Sequence, residues 1–139
     1  MKNSKPILLV EDDEVDVMKI KRAFKDRGTP NQLVNPQNGE RALEYLNDKS
    51  RKRPCLVLLD LNMPGLDGFQ FLQRVKNDPK FRKIPVVVLT SSENETDVER
   101  SFDLGAAGYI VKPDDYSEFV KMFSIVDKYW TLNESPNET

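Results

Sequence analysis

Histidine is absent from the 139 residues, and cysteine occurs once, at Cys55. Without histidine the chain cannot form a His-based catalytic triad, a His-ligated zinc or iron site, or a phosphohistidine carrier. A single cysteine excludes an internal disulfide and any zinc site built from several cysteines. Any chemistry therefore depends on carboxylates, hydroxyls, lysine and bound metal ions.

The sequence also lacks a long apolar run and an excess of charge of either sign. No run approaches the roughly 20 residues that span a bilayer, and the apolar stretch after residue 5 is too short for a signal peptide. Because 21 basic residues oppose 23 acidic ones, with a net charge of −2 and a pI near 5.3, nothing indicates sequence-independent nucleic-acid binding. With 38% hydrophobic residues, the composition predicts one cytoplasmic domain with neither a nucleic-acid nor a membrane partner.

Short apolar runs alternate with helical patterns along the chain. The strand patterns lie at residues 6–10, 32–35, 55–59, 84–89 and 108–111. The helical patterns lie at residues 15–27, 39–46, 69–77, 95–104 and 116–130. This alternation predicts an α/β fold with a doubly wound, five-stranded parallel sheet, a flavodoxin-like (βα)5 arrangement with strand order 2-1-3-4-5. One domain is expected over residues 1–130, with a short tail at 131–139.

Polar side chains follow four of the predicted strands. The first strand ends at Glu11 and Asp12, the third at Asp60, the fourth at Thr90 and the fifth at Lys112. Because ligands of open parallel sheets bind outside the carboxyl ends of the strands, the carboxylates should converge there. Clustered carboxylates need a shared proton or a cation, and oxygen ligands favour a hard ion such as Mg²⁺. We expect Asp60 to be a nucleophile toward a phosphoryl group whose oxygens bind Thr90 and Lys112.

Each of these residues also has a purely structural interpretation. Asp12 or Asp13 would serve as the cap of the following helix, and Asp60 as an ordinary turn residue. Thr90 would also serve as a cap, and no role is predicted for Asn35 after the second strand. The functional interpretation rests on four suitable residue types at four strand ends.

Four segments resemble response-regulator receiver domains of two-component phosphorelays. They are LVEDD at residues 9–13, LLDLNMPGLDG at 58–68, VLTS at 88–91 and GAAGYIVKP at 105–113. The resemblance covers about residues 5–130. It implies that Asp60 accepts a phosphoryl group from a partner sensor histidine kinase or phosphotransfer protein. It also implies a signalling protein that catalyses only its own phosphorylation and dephosphorylation.

The resemblance implies a metal site beside Asp60. Glu11 and Asp12 match the acidic pair of the family, and Mg²⁺ would be held by these carboxylates, by Asp60 and by the backbone carbonyl of Asn62. Asn62 and Ser92 match the positions that tune hydrolysis of the aspartyl phosphate.

The resemblance further implies a conformational switch that alters the surface of the fourth helix, fifth strand and fifth helix, with output by protein contact or onward phosphotransfer. Thr90 and Lys112 match the switch hydroxyl and the phosphate-binding lysine, and Tyr109 matches the aromatic switch residue. A half-buried strand tyrosine without such a role is the alternative for Tyr109. A cis peptide bond between Lys112 and Pro113 is also implied.

The last predicted helix carries apolar residues over more than half of its circumference, which is wider than one core face needs. These residues are Phe119, Val120, Met122, Phe123, Ile125, Val126, Tyr129 and Trp130. One interpretation is that this helix and the neighbouring strand form a homodimer or partner surface. The other is that most of these residues face a large core and a few aromatic side chains are simply exposed to solvent. The loop at 48–54, the KPDD turn and the YW ending resemble small regulators paired with phytochrome-type kinases.

Other function classes fit parts of the sequence. A flavodoxin-like FMN carrier would need Ser, Thr and Gly donors after the first strand, where the EDD segment would repel a phosphate. A phosphatase with an aspartate nucleophile usually places it after the first strand. The main alternative is a receiver-like binding module that works without phosphorylation. The basic segment at 49–53 is expected to be a solvated loop.

Overall fold

The computed structural model of the chain describes residues 5–28 and 31–132, with side chains as far as residue 128. Its strands are β1 (Ile7–Val10), β2 (Leu33–Val34), β3 (Leu56–Leu59), β4 (Val86–Thr90) and β5 (Gly108–Val111). Its helices are α1 (Glu14–Arg27), α2 (Gly39–Asn47), α3 (Gly68–Asn77), α4 (Glu95–Asp103) and α5 (Tyr116–Leu132). The tail expected at 131–139 and the side chains of Tyr129 and Trp130 lie outside this description, apart from the backbone of α5.

The strands form one parallel sheet in the order β2-β1-β3-β4-β5, which confirms the predicted topology. The order reverses between β1 and β3, so this is the switch point of the sheet. Val10 lies opposite Leu59 in the register of these two strands. The residues that follow, Glu11 and Asp60, therefore leave the sheet side by side.

Apolar residues cover both faces of the sheet, as expected for a parallel sheet. Leu8 and Val10 of β1 pack into a core with α2 and α3, whereas Ile7 and Leu9 pack into a second core with α1 and α5. All four are at most 1% exposed, and burying such a side chain contributes about 1.5–3 kcal/mol. These two cores explain why the strands are continuously apolar rather than alternating.

Side-chain caps fix where the helices begin. Asp13 caps α1 by accepting hydrogen bonds from the backbone N–H groups of Val15 (2.9 Å) and Asp16 (3.2 Å). This contact decides between the two candidate caps, because it assigns the capping role to Asp13 and leaves Asp12 to the carboxyl end of β1. Asp67 begins α3 in a capping box with Gln70.

Four strands have bounds that differ from the predicted ones, β1 and β3 by one residue at the start and β2 and β4 by more. β2 has only two residues because the chain leaves the sheet at Asn35, whose side chain instead bonds to the end of β1. β4 begins at Val86 rather than at residue 84 because Pro85 has no N–H group to donate to a neighbouring strand. Among the described helices, none combines the length and the apolar character needed to cross a membrane.

Replacing Gly68 by alanine should displace the segment that carries Asp60. The new Cβ would lie 2.5 Å from the carbonyl oxygen of Asp60 and 2.6 Å from Cα of Leu61, which are backbone atoms that cannot rotate away. Gly68→Ala should therefore lower the free energy of unfolding in urea by about 1–3 kcal/mol, as overpacking does. Gly108→Ala is the matched control, because its Cβ would first meet Val87 methyls at 3.6 Å. An equal loss in both variants would contradict the prediction.

Candidate functional site

Three carboxylates meet where β1 and β3 end. Glu11, Asp12 and Asp60 each offer one oxygen, and these oxygens all lie within 4.8 Å of one another. Glu11 is 1% exposed and Asp60 is 7% exposed, whereas Asp12 is open to solvent. Negative charges this close repel one another strongly where bulk water is excluded. The cluster therefore requires positive charge nearby.

Lys112, which follows β5, supplies part of that charge. Its ammonium donates hydrogen bonds to Glu11 Oε1 and to Asp16 Oδ2 (2.7 Å), and it lies 3.6 Å from Asp60 Oδ2. Burial by itself would lower the pKa of Lys112, but the hydrogen bonds to Asp16 and Glu11 outweigh burial and raise this pKa. Lys112 is therefore a permanent cation in the midst of the carboxylates.

One ammonium does not fully compensate for these acids. Burial raises the pKa of the Glu11 carboxyl to about 7, and the charge of Asp60 acts in the same direction, although the hydrogen bond from Lys112 opposes the shift. The acidic cluster thus remains short of positive charge near neutral pH. A group of oxygen donors with this deficit fits a hard divalent cation held by Glu11, Asp12 and Asp60.

The fourth strand brings the hydroxyl of Thr90 to the same end of the sheet. Thr90 is the last residue of β4 and is fully buried. Its carbonyl accepts a hydrogen bond from the backbone N–H of Lys112 at 2.8 Å, which ties the ends of β4 and β5 together. The strand ends singled out from the sequence thus lie at one edge of the sheet.

Tyr109 connects β5 to the loop after β4. Its side chain is half-buried, and its hydroxyl donates to the carbonyl of Ser92 at 2.9 Å. The Ser92 hydroxyl in turn donates to Asp97 Oδ2 at 2.7 Å, in the first turn of α4. The Tyr109 hydroxyl therefore ties β5 to the loop that follows Thr90, and its role as a switch residue stays a prediction.

Two further expectations about the site concern Asn62 and the peptide bond before Pro113. Asn62 is exposed, and its backbone N–H lies 3.4 Å from Asp60 Oδ1, so its role as a carbonyl ligand stays a prediction. The prediction of a cis peptide bond between Lys112 and Pro113 is wrong, because the described residues contain no cis peptide bond. The trans form is the lower-energy one for most X–Pro bonds.

Two residues of the site were missed by the sequence analysis. Asp16 is the second hydrogen-bond partner of Lys112, and its position in the first turn after the acidic strand end was an available signal. The Asn35 side chain donates to the carbonyls of Leu9 (2.7 Å) and Glu11 (3.0 Å), which fixes the end of β1. A single polar residue after an edge strand carried no comparable signal.

Replacing Lys112 by methionine should destabilise the fold, and the loss should depend on pH. At pH 8 in EDTA we expect the free energy of unfolding in urea to fall by about 3 kcal/mol, because Glu11 and Asp60 lose their buried cation. The raised pKa of Glu11 means that this carboxyl takes up a proton as the pH falls through 7, so the loss should be smaller at pH 6.

The control for this variant is Lys121→Met. Lys121 is 71% exposed and lies 3.3 Å from Glu118 on the surface, so its removal should change stability by less than about 0.5 kcal/mol. A loss at Lys112 that matches the control, or that grows at pH 6, would refute this account of the site.

Residues 7–124 match the response regulator receiver domain family. Response regulator Rcp1 of Synechocystis is 35% identical over 130 residues, which is 91% of this chain and 88% of Rcp1. The crystal structure of the Mn(2+)-bound form of Rcp1 has 34% identity, covers 96% of this chain and 99% of that one, and gives a TM-score of 0.87. The crystal structure of the phosphorylated cyanobacterial phytochrome response regulator RcpA has 35% identity, covers 97% and 100%, and gives a TM-score of 0.89. The chain therefore belongs to the response regulator receiver domain family of two-component signalling.

Proposed function

We propose that Asp60 accepts a phosphoryl group from a partner sensor histidine kinase, or from a phosphotransfer protein, and that this chain signals by changing its surface. The observation that carries the proposal is the position of Asp60: a nearly buried carboxylate among acidic residues, 3.6 Å from a lysine ammonium. The phosphorylated state named for the similar RcpA structure supports it. A receiver-like binding module that works without phosphorylation is the alternative.

The transfer step follows from these groups. A carboxylate oxygen of Asp60 attacks the phosphorus of a phosphohistidine, the P–N bond breaks, and the imidazole nitrogen keeps the electron pair. This chain has no histidine, so the donor comes from the partner. Lys112 and the Thr90 hydroxyl bind oxygens of the transferred group. Attack by water on phosphorus later breaks the new P–O bond and releases inorganic phosphate and the Asp60 carboxylate, with Asn62 and Ser92 influencing the rate.

Mg²⁺ is the proposed cofactor, held by Glu11, Asp12, Asp60 and the carbonyl of Asn62. The shortage of positive charge at the acidic cluster supports a divalent ion, as does the Mn(2+)-bound form of the similar Rcp1 structure. When bound, the ion offsets the negative charge that phosphoryl oxygens would otherwise meet at these carboxylates. Asp12, the exposed member of the cluster, leaves the site open on its solvent side.

The proposed signal is a shift between two states that starts at Thr90 and Tyr109. A phosphoryl group shifts this equilibrium only through contacts that differ between the states. The Thr90 hydroxyl would supply such a contact by moving toward the phosphoryl oxygens, and Tyr109 would repack. Three exposed apolar side chains support α4, β5 and α5 as the responding surface: Phe102 on α4 (49% exposed), Val111 on β5 (38%) and Ile125 on α5 (71%).

A phytochrome-type kinase is the proposed partner class, and the likeness to RcpA, named as a phytochrome response regulator, supports it.

Self-association through α5 and the neighbouring β5 is a second proposed contact. Phe119 and Phe123 of α5 are buried in the core, whereas Ile125 faces solvent. The helix thus carries apolar surface beyond what its own core covers.

The phosphoacceptor is tested by intact mass after incubation with acetyl phosphate and Mg²⁺. We expect one phosphoryl adduct on the wild type, none on Asp60→Asn, and none when EDTA replaces Mg²⁺. Asp67→Asn is the matched control, because Asp67 caps α3 nearby without belonging to the acidic cluster. If the wild type stays unmodified, and beryllofluoride also leaves its spectrum unchanged, the binding-module alternative replaces the proposal.

Self-association is tested by analytical ultracentrifugation with and without beryllofluoride. We expect the wild type to form dimers at high concentration and Ile125→Glu to weaken them at least about tenfold, because a charge enters an apolar contact. Met18→Glu is the matched control, since Met18 on α1 is 69% exposed and Ile125 is 71% exposed. A wild type that stays monomeric under both conditions would rule out the dimer.

A further inference from the structure

Seven basic residues gather at the end of the sheet opposite to Asp60. They lie in two loops, at residues 48–54 before β3 and 78–84 before β4, and we call the two loops together the basic end. Its basic residues are Lys49, Arg51, Lys52, Arg53, Lys80, Arg82 and Lys83. These are seven of the 21 basic residues of the chain, whereas the two loops hold only two of its 23 acidic residues, Asp48 and Asp78.

Direct contacts join the two loops into one surface. Arg53 Nη1 donates to the carbonyl of Lys80 at 2.6 Å, and Lys80 Nζ donates to Asn47 Oδ1 at 3.3 Å. The guanidinium of Arg53 and the ammonium of Lys80 both lie over the ring of Phe81, at 5.6 and 5.1 Å from its centre. The run at 49–53 therefore supplies four of the seven basic residues of a larger cationic surface, which only the fold assembles.

Aromatic contacts also hold part of this charge in place. The Arg51 guanidinium lies 5.4 Å from the ring centre of Tyr45, and the Tyr45 hydroxyl donates to the carbonyl of Lys52 at 3.2 Å. Beside them is a cleft of about 220 Å³, which Arg53, Pro54 and Asp48 also line, with Asp48 paired to Arg51 at 3.6 Å. Cations fixed in this way lose less side-chain entropy when an anion binds, and the cleft has room for a carboxylate side chain.

We propose that the basic end binds an acidic segment of a partner protein. A membrane surface or a nucleic acid fits less well, because the aromatic side chain of the two loops, Phe81, is only 3% exposed and cannot insert into lipid or stack on a base. The exposed large apolar side chains of the described residues all lie elsewhere, at Val15, Met18, Phe102, Val111 and Ile125. The rest of the chain carries a net negative charge. A short acidic segment bound at the basic end would feel mainly the charges within the Debye length of about 8 Å, and these belong to the basic end.

The location of the basic end separates this contact from the acidic cluster. Loops that precede parallel strands lie at the opposite edge of the sheet from the carboxyl ends, where Asp60 and Lys112 meet. A bound acidic segment would therefore leave the acidic cluster and the surface of Val111 and Ile125 uncovered. The basic end is suited to hold a partner in place while the other end of the molecule reacts.

Binding of a fluorescein-labelled oligoglutamate peptide to the full chain tests the proposal by anisotropy at low ionic strength. The variant K49Q/R51Q/K52Q should bind at least about tenfold more weakly, because three exposed cations are lost. The control K21Q/K25Q/K128Q removes the same charge from exposed positions on α1 and α5, and its affinity should change less than about twofold. Both variants should keep the circular dichroism spectrum of the wild type. Salt at about 0.5 M should abolish binding, because it screens the charges.

Three outcomes would overturn the proposal. The first is a wild type that does not bind oligoglutamate at low ionic strength. The second is an equal loss of affinity in the two triple variants, which would reflect net charge rather than the basic end. The third is preferential binding of single-stranded DNA or of phosphatidylserine vesicles over the peptide, which would assign the surface to a different polyanion.

Discussion

The contact between Lys112 and the buried carboxylates is the interaction on which the site depends. Parallel pairing of β1 with β3 forces Glu11 and Asp60 together, so the fold creates a concentration of negative charge that it must compensate. Lys112 comes from the far side of β4, where its backbone bonds to Thr90 and its ammonium reaches Glu11. Compensation is incomplete, and under the proposed function the ammonium beside Asp60 would also receive a phosphoryl oxygen.

The sequence predicts the parts of this site that follow from strand geometry. Glu11, Asp60, Thr90 and Lys112 each follow a recognisable apolar run, and parallel strands bring such residues to one edge. It does not predict Asp16 or Asn35, because their roles come from hydrogen bonds to Lys112 and to β1 that depend on how loops and helices pack. The prediction of a cis bond before Pro113 failed for a related reason, because the local sequence does not determine the isomer of an X–Pro bond.

The chain separates its charges along the strands. Acidic residues surround the carboxyl ends, while basic residues occupy the loops before β3 and β4, although the net charge is only −2. Composition alone cannot show this separation, because the segments at 49–53 and 80–83 become neighbours only through contacts such as that of Arg53 with Lys80. A nearly neutral protein can therefore present two surfaces that favour partners of opposite charge.

Polar contacts of Ser92 connect the loop after Thr90 to α4 and to β5. Thr90 precedes Ser92 by two residues, and Ser92 uses its carbonyl to accept from Tyr109 and its hydroxyl to donate to Asp97. A movement of Thr90 toward a phosphoryl group would change the geometry of both bonds together, because both belong to the same residue. Since Asp97 lies in the first turn of α4 and Tyr109 lies in β5, the change would reach the two elements that expose Phe102 and Val111. Ser92 is thus the point at which a local electrostatic event would become a change of surface.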